Sequence, residues 1–223
     1  MMIFFENPNL LISEFNEMAS IAQNKAFITI GIEIQKEEIQ TIQNYIKELN
    51  SLKKEYVSKN FENEANLVYC IENSLLAIAY ELQMLVNIKE DKMDEAWNSL
   101  VRAQVIYGTV ICNSTFPDES NEKYLTKLEQ YEKLLFPNLY FQSVGGIIKQ
   151  SHCSICNEKS GKCNHIKGKL YNGELCTRII TEMELEEVSF VKNPANKHCR
   201  VISIEENGKN IDILTLREIK KEK

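Results

Sequence analysis

Apolar residues recur every three or four positions through the first 136 residues, which is the spacing of one face of an α-helix. The longest stripes lie in residues 33–58 and 62–88, and Lys, Glu and Gln fill the other face of the first stripe. Only two glycines and two prolines interrupt residues 1–136. A third helix capped by Asp91 and a fourth that ends before Pro137 are predicted, and the run around residues 11–22 adds another. The pattern predicts an antiparallel bundle of four or five helices.

The pattern changes after Pro137. Five of the eight glycines lie between residues 145 and 173. Runs rich in β-branched and aromatic residues predict short strands, and their alternation of apolar and polar positions predicts one small sheet. These runs cover residues 139–149, 186–192, 200–205 and 211–216. We therefore predict an α+β protein with two domains, a helical bundle over residues 1–137 and a small β module over residues 138–223.

Cysteine and histidine spacing predicts a metal site in the second part. Cys153 and Cys156 form a C-x-x-C pair, and Cys163 and His165 supply two more donors within thirteen residues of chain. Zinc takes four nitrogen or sulfur ligands in a tetrahedron, and a C-x-x-C turn delivers two thiolates at once. Because four protein ligands close the site, we predict a structural zinc ion. Cys176 is the alternative to His165 as fourth ligand.

The remaining cysteines and the N-terminus bear on the compartment. The chain has seven cysteines, and its first residues carry neither a basic region nor a signal-peptide cleavage site. An odd number of cysteines that includes a C-x-x-C pair suits a reducing compartment, so a cytoplasmic protein without a membrane span is predicted. Cys70 and Cys112 fall in helical patterns and are expected to be buried.

Charge is divided unevenly along the chain. Residues 1–136 hold 12 Lys and Arg against 21 Asp and Glu, whereas residues 137–223 hold 14 against 11. The acidic first part argues against a nucleic-acid surface there. A nucleic-acid-binding or HNH-like nuclease module is the alternative for the second part, with His165 as a base in the nuclease. Its phosphate-facing patch would consist of Lys149, Lys159, Lys162, Lys167, Lys169 and Arg178.

Three short motifs carry a resemblance to a known family. QSVGG at 142–146, EVSFV at 187–191 and PAN at 194–196 resemble the late strands of tailed-phage prohead maturation proteases, and of phage-associated proteins with a CxxC…CxH insert between those strands. The resemblance covers about residues 139–205, and it implies a β-fold and a phage-related setting. It also implies Ser143 as the nucleophile of a serine peptidase. No histidine precedes His152 to act as the base from an earlier strand, so a degenerate peptidase is the second alternative.

No set of residues in the sequence assembles a complete catalytic group. An acidic helical bundle and a zinc-stabilised β module are both suited to presenting surfaces to other proteins. The function predicted from sequence is therefore a non-enzymatic zinc-binding adaptor or scaffold subunit of a multi-protein complex, in bacterial antiphage defence or in a phage-related setting. Its predicted partners are proteins.

Overall fold

The computed structural model describes residues 8–114, 119–137 and 139–219, and for residues 119 and 120 the helical backbone alone. Helices occupy the first part of the chain and strands the second, so the predicted α+β class is confirmed. The helices are α1 (Pro8–Lys25), α2 (Ile32–Ser58), α3 (Glu62–Lys89), α4 (Met93–Asn113) and α5 (Glu119–Leu135). The strands are β1 (Phe141–Cys153), β2 (Leu170–Tyr171), β3 (Glu174–Leu175), β4 (Arg178–Val191), β5 (Ser203–Glu206) and β6 (Lys209–Asp212).

Helix α3 lies at the centre of the bundle. It packs against α1, α2 and α4. Leu75, Leu82 and Met84 of this helix are completely buried, and the main apolar core extends from them into the other helices. The connections from α2 to α3 and from α3 to α4 are three residues each, which makes consecutive helices antiparallel neighbours.

Both of these connections are Schellman motifs, and one of them corrects a prediction. After α3 the N–H of Asp91 donates to the carbonyl of Ile88 and that of Lys92 to the carbonyl of Asn87, with Asp91 at a φ of 59°. Asp91 is thus the left-handed residue that ends α3. The N-cap of α4 is Lys92, so the predicted capping by Asp91 is wrong. The carboxylate of Asp91 instead pairs with Arg217.

The strands form three separate two-stranded antiparallel pairs, β1 with β4, β2 with β3, and β5 with β6. The prediction of one small sheet is therefore wrong. Strand β4 starts eight residues before its predicted start at 186. The prediction was late because glutamate is depleted in strands, so Glu182 and Glu184 did not indicate one. The β2–β3 hairpin was not predicted at all. The division into two domains at residue 137 stays a prediction.

Trp97 of α4 joins the helices to the strands. Its side chain is 1% exposed, and its ring lies 5.3 Å from that of Phe136 and 6.0 Å from that of Phe141, the first residue of β1. The indole Nε1–H donates to the carbonyl of Lys197 at 3.1 Å. The ammonium of Lys197 in turn lies 2.5 Å from the Glu132 carboxylate of α5. The start of β1 and the loop after β4 are therefore held by the bundle.

The β2–β3 turn is seated on α3 through Gly173. Its φ is +71°, its N–H donates to the Oδ1 of Asn66 at 2.7 Å, and an added Cβ would lie 3.1 Å from the Lys53 side chain and 3.2 Å from the carbonyl oxygen of Ala65. Gly208 in the β5–β6 turn has a similar φ of +74° but open space around the Cβ position.

Replacing these two glycines separates backbone strain from packing. Gly208→Ala is expected to lower the free energy of unfolding by about 1–2 kcal/mol, because a Cβ is disfavoured in the left-handed region. Gly173→Ala is expected to cost roughly 1 kcal/mol more, because the added methyl group also crowds α3. Urea unfolding followed by circular dichroism measures both values. Equal losses in the two variants would show that the turn does not rest on α3.

Candidate metal centre

The metal motif begins where β1 ends. Cys153 is the last residue of β1 and is buried. The N–H of Asn157 donates to the carbonyl of Cys153 at 2.9 Å, and Asn157 has a φ of 58°, so the chain turns sharply around Cys156. The N–H of Ser160 then donates to the carbonyl of Ser151 at 2.9 Å. These bonds direct the chain back along β1, so that the following residues approach the first two cysteines.

The structure brings together all four residues that the sequence singles out. The sulfur atoms of Cys153, Cys156 and Cys163 and a ring nitrogen of His165 all lie within 4.8 Å of one another. Cys156 is exposed, whereas Cys163 and His165 are half-buried. The cluster therefore lies at the surface, and its arrangement could hold a metal ion.

The surroundings of His165 fit a bound metal. Its Nδ1 atom is buried and has no hydrogen-bond partner among the described residues. The imidazole packs edge-on against Tyr171, with 4.6 Å between ring centroids, and the hydroxyl of Tyr171 accepts a hydrogen bond from the N–H of Ile166 at 2.8 Å. A buried nitrogen without a partner is costly, and a metal bond would satisfy it. Three thiols and one imidazole are also a donor set that zinc prefers.

The protein environment favours the thiolate form of Cys153. Hydrogen bonds from the backbone N–H groups of Cys156 and Ile155, and from the Cys176 thiol, lower the pKa of Cys153 to about 6. Burial raises the pKa of Cys176 to about 11. The thiolate is the form in which cysteine binds a metal, so Cys153 is prepared for ligation.

Cys176 lies beside the cluster but does not belong to it. Its sulfur atom is 3.7 Å from that of Cys153, whereas the set of four mutually close donors contains His165 and not Cys176. Cys176 arrives through the chain after the β2–β3 hairpin, where its N–H donates to the carbonyl of Lys169 and its own carbonyl accepts from the N–H of Gly168, both at 2.8 Å. The choice of His165 over Cys176 as the fourth ligand stays a prediction.

Residues 151–177, which we call the metal segment, are attached to the helical bundle. The side-chain amide of Asn113 donates to the carbonyl of Gly168 at 2.8 Å. Leu170 packs with Cys70 of α3 and Val110 of α4 in a small cluster separate from the main core. Burial of Cys70 is thus confirmed, whereas Cys112 is exposed and its predicted burial is wrong.

The structure shows the surroundings of the basic patch that the nucleic-acid alternative would use. Lys149 pairs with Glu184 at 2.8 Å, and Arg178 donates to the Ser151 hydroxyl at 2.7 Å. Lys169 donates to the carbonyl of Cys112 at 3.0 Å, so three members of the basic patch have protein partners. Lys159, Lys162 and Lys167 are exposed beside the cluster.

The contact of Tyr171 with His165 was missed by the sequence analysis. An available signal was the Asn-Gly pair at residues 172–173, which follows Tyr171 directly. Asn-Gly favours a tight hairpin turn. This turn places Tyr171 on a strand next to His165.

No family model, curated protein or solved structure matches the chain. The resemblance of residues 139–205 to phage maturation proteases therefore stays a prediction. Within the part of the chain that the structure describes, none of the helices combines the length and the apolarity needed to cross a membrane.

Proposed function

We propose that this protein is a non-enzymatic adaptor subunit of a multi-protein complex, and that the four-residue cluster holds a structural Zn²⁺ ion. One observation carries the proposal: four protein donors within 4.8 Å of one another come from a single short segment. Four protein ligands complete a tetrahedron, whereas catalytic zinc sites keep a position open for water or substrate. The ion would fix the glycine-rich metal segment, which connects β1 to β4 and contacts the bundle.

Exposed apolar side chains support a role in protein contacts. Leu185 and Phe190 of β4 are largely exposed, and several other apolar side chains of β1 and β4 are exposed as well. Contiguous apolar patches on soluble proteins usually mark sites of association. Ser143, the nucleophile in the peptidase alternative, lies opposite Ser189 in the β1–β4 ladder, and no described hydrogen bond joins its side chain to a histidine or carboxylate. These surroundings favour an adaptor over a peptidase.

The biological setting that we propose is bacterial antiphage defence or a phage-borne complex. This part of the proposal rests on the motifs at 142–146 and 187–191, which resemble phage maturation proteases. The protein would bring other subunits together without carrying out chemistry itself.

Two measurements on the full chain test the proposal. Elemental analysis of protein purified without added metal should give about one zinc ion per chain, as expected for a closed structural site. Iron in place of zinc, or a metal-free folded protein, would overturn the zinc assignment. Tagged protein isolated from its native host at its natural level should run on size exclusion as a defined complex with fixed stoichiometry. A monomer under these conditions would overturn the adaptor role.

A further inference from the structure

Strands β1 and β4 form a two-stranded ribbon, and one of its faces is apolar. In the ladder Val144 lies opposite Val188 and Ile148 lies opposite Met183. Opposite residues share a face, and so do alternate residues along one strand. The apolar face of the ribbon consists of Val144, Ile148, Met183, Leu185, Val188 and Phe190.

A bulge in β4 keeps this face continuous. Gly145 lies opposite Glu187 and Gly146 lies opposite Leu185, so that Glu186 is an extra residue in β4. The extra residue restores the alternation, and Leu185 therefore shares a face with Val188 although three positions separate them. In a regular strand Leu185 would lie on the opposite face.

Solvent reaches most of the apolar face. Its exposed fractions are 74% for Phe190, 67% for Leu185, 62% for Val188 and 53% for Val144. An isolated two-stranded ribbon is at best marginally stable in water, and ribbons are normally completed by another strand or a packed layer. The composition and the exposure of the ribbon are therefore those of a sheet that lacks a further strand or a packed layer.

The opposite face of β4 is acidic. Glu184 lies opposite Ile147 and Glu187 lies opposite Gly145, which places both carboxylates on the side away from the apolar face. Glu182 alternates with Glu184 and shares that side. Lys149 pairs with Glu184, whereas Glu182 and Glu187 are exposed. A partner beside β4 would therefore meet apolar residues on one face and carboxylates on the other.

The two edges of the ribbon differ. The outer edge of β1 is bridged at both ends, by Arg200 opposite Phe141 and by Lys159 opposite His152. No described strand or bridge pairs with the outer edge of β4. Strand β4 has fourteen residues, and alternate ones thus offer their backbone N–H and C=O groups at this edge to an additional strand.

We infer that the outer edge of β4 binds an extended segment of a partner protein in which apolar residues alternate with Lys or Arg. The added strand forms main-chain hydrogen bonds with β4. Its apolar side chains extend the apolar face, and its basic side chains lie beside Glu182, Glu184 and Glu187. The inference rests on the proposed adaptor role and specifies the surface that this role uses.

Charge decides against other occupants. Two copies of the chain paired through β4 would bring their rows of glutamates next to each other, and like charges on neighbouring strands are destabilising. Nucleic acid and anionic lipid would meet the same carboxylates. A segment with basic side chains at alternate positions matches the charge of this edge.

The test uses two labelled eight-residue peptides with the full-length, zinc-loaded protein. One alternates lysine with valine and the other alternates glutamate with valine. Fluorescence anisotropy should show that the lysine peptide binds about tenfold or more tightly than the glutamate peptide at low salt. Hydrogen exchange should show new protection in residues 178–191. Equal affinity, absent binding or protection elsewhere would overturn the inference.

A charge-reversal variant tests the location. Glu182→Lys/Glu187→Lys should exchange the preference of the ribbon, so that the glutamate peptide binds more tightly. The control Glu205→Lys/Glu206→Lys makes the same change of net charge on the exposed β5–β6 hairpin and should keep the wild-type preference. An unchanged preference in the first variant, or an exchanged one in the control, would overturn the location.

An apolar variant tests the contribution of the face. Leu185→Thr/Val188→Thr places threonine, a β-branched residue that favours strands, at both positions. The variant is expected to bind the lysine peptide about tenfold more weakly, because apolar contacts are lost. A wild-type dimer that this variant abolishes would instead assign the surface to a second copy and overturn the inference.

Failure of this inference and failure of the adaptor role are distinguishable. If the complex isolated from the native host forms normally with both double variants, the adaptor role stands and the β4 surface is rejected. If the lysine peptide binds β4 as expected while the native protein is a monomer, the adaptor role is rejected.

Discussion

Cys163→Ser is expected to release the bound zinc and to unfold the metal segment while the helices persist. Structural zinc sites contribute roughly 10–16 kcal/mol of apparent binding free energy, and this segment has a short hairpin and few buried apolar residues to replace it. The main core of the bundle includes Leu75, Leu82 and Trp97 and lies outside the segment. Elemental analysis should fall from about one zinc ion per chain to near zero.

Hydrogen exchange locates the effect of this variant. Protection should be lost over residues 151–177 and retained in α2, α3 and α4. Cys199→Ser is the matched control, because Cys199 is an exposed cysteine outside the ligand set. It should keep both the zinc and the protection. Full zinc occupancy in Cys163→Ser would contradict the ligand assignment.

The same measurements identify the fourth ligand. His165→Ala is expected to lose zinc, because its ring nitrogen belongs to the set of close donors. Cys176→Ser is expected to keep zinc, although its sulfur atom lies 3.7 Å from that of Cys153. Retention in His165→Ala together with loss in Cys176→Ser would make Cys176 the ligand.

Trp97→Ala is expected to lower the free energy of unfolding by about 3–5 kcal/mol, the usual cost of truncating a buried aromatic residue. The indole fills the junction between α4, Phe136 and Phe141. Truncation leaves a cavity there and also removes the donor to the Lys197 carbonyl. Trp97 is the single tryptophan of the chain, so the variant has no tryptophan fluorescence to follow. Urea unfolding is therefore followed by the circular dichroism of the helices, which measures the loss.

Two further variants at α4 divide this effect. Trp97→Phe keeps an aromatic ring and loses the N–H donor. The lost hydrogen bond should lower the free energy of unfolding by about 1–3 kcal/mol. Val105→Ala changes a residue of the same helix that is 63% exposed, and its effect should stay within about 0.5 kcal/mol. If Trp97→Ala resembled Val105→Ala, the junction would not depend on the indole.

The helices could be predicted well because their signal is local. The predicted segments 33–58 and 62–88 differ from α2 and α3 by a single residue at one end. Regular apolar spacing over seven turns leaves little choice of structure. The cap of α4 could not be predicted, because the acidic residue before it was required as the left-handed end of α3.

The strands were harder to predict because their residues pair across long separations. Glutamate is depleted in strands, so Glu182, Glu184 and Glu187 make β4 difficult to recognise, and the strand is visible only once β1 is placed beside it. The bulge at Glu186 shifts the alternation by one position, so that the sequence does not present the apolar face as a regular pattern.

By itself the sequence determined the helical first part, the change to strands after Pro137 and the four donors that could hold a metal ion. Helical periodicity and ligand spacing operate within a few residues of chain, so they can be read directly. The tertiary structure alone decided that Cys176 lies beside Cys153, that Trp97 meets Lys197 a hundred residues later, and that β4 presents an open edge. These features depend on which distant segments meet, and the closure of long chain segments is specified by the packing of the whole fold rather than by local pattern.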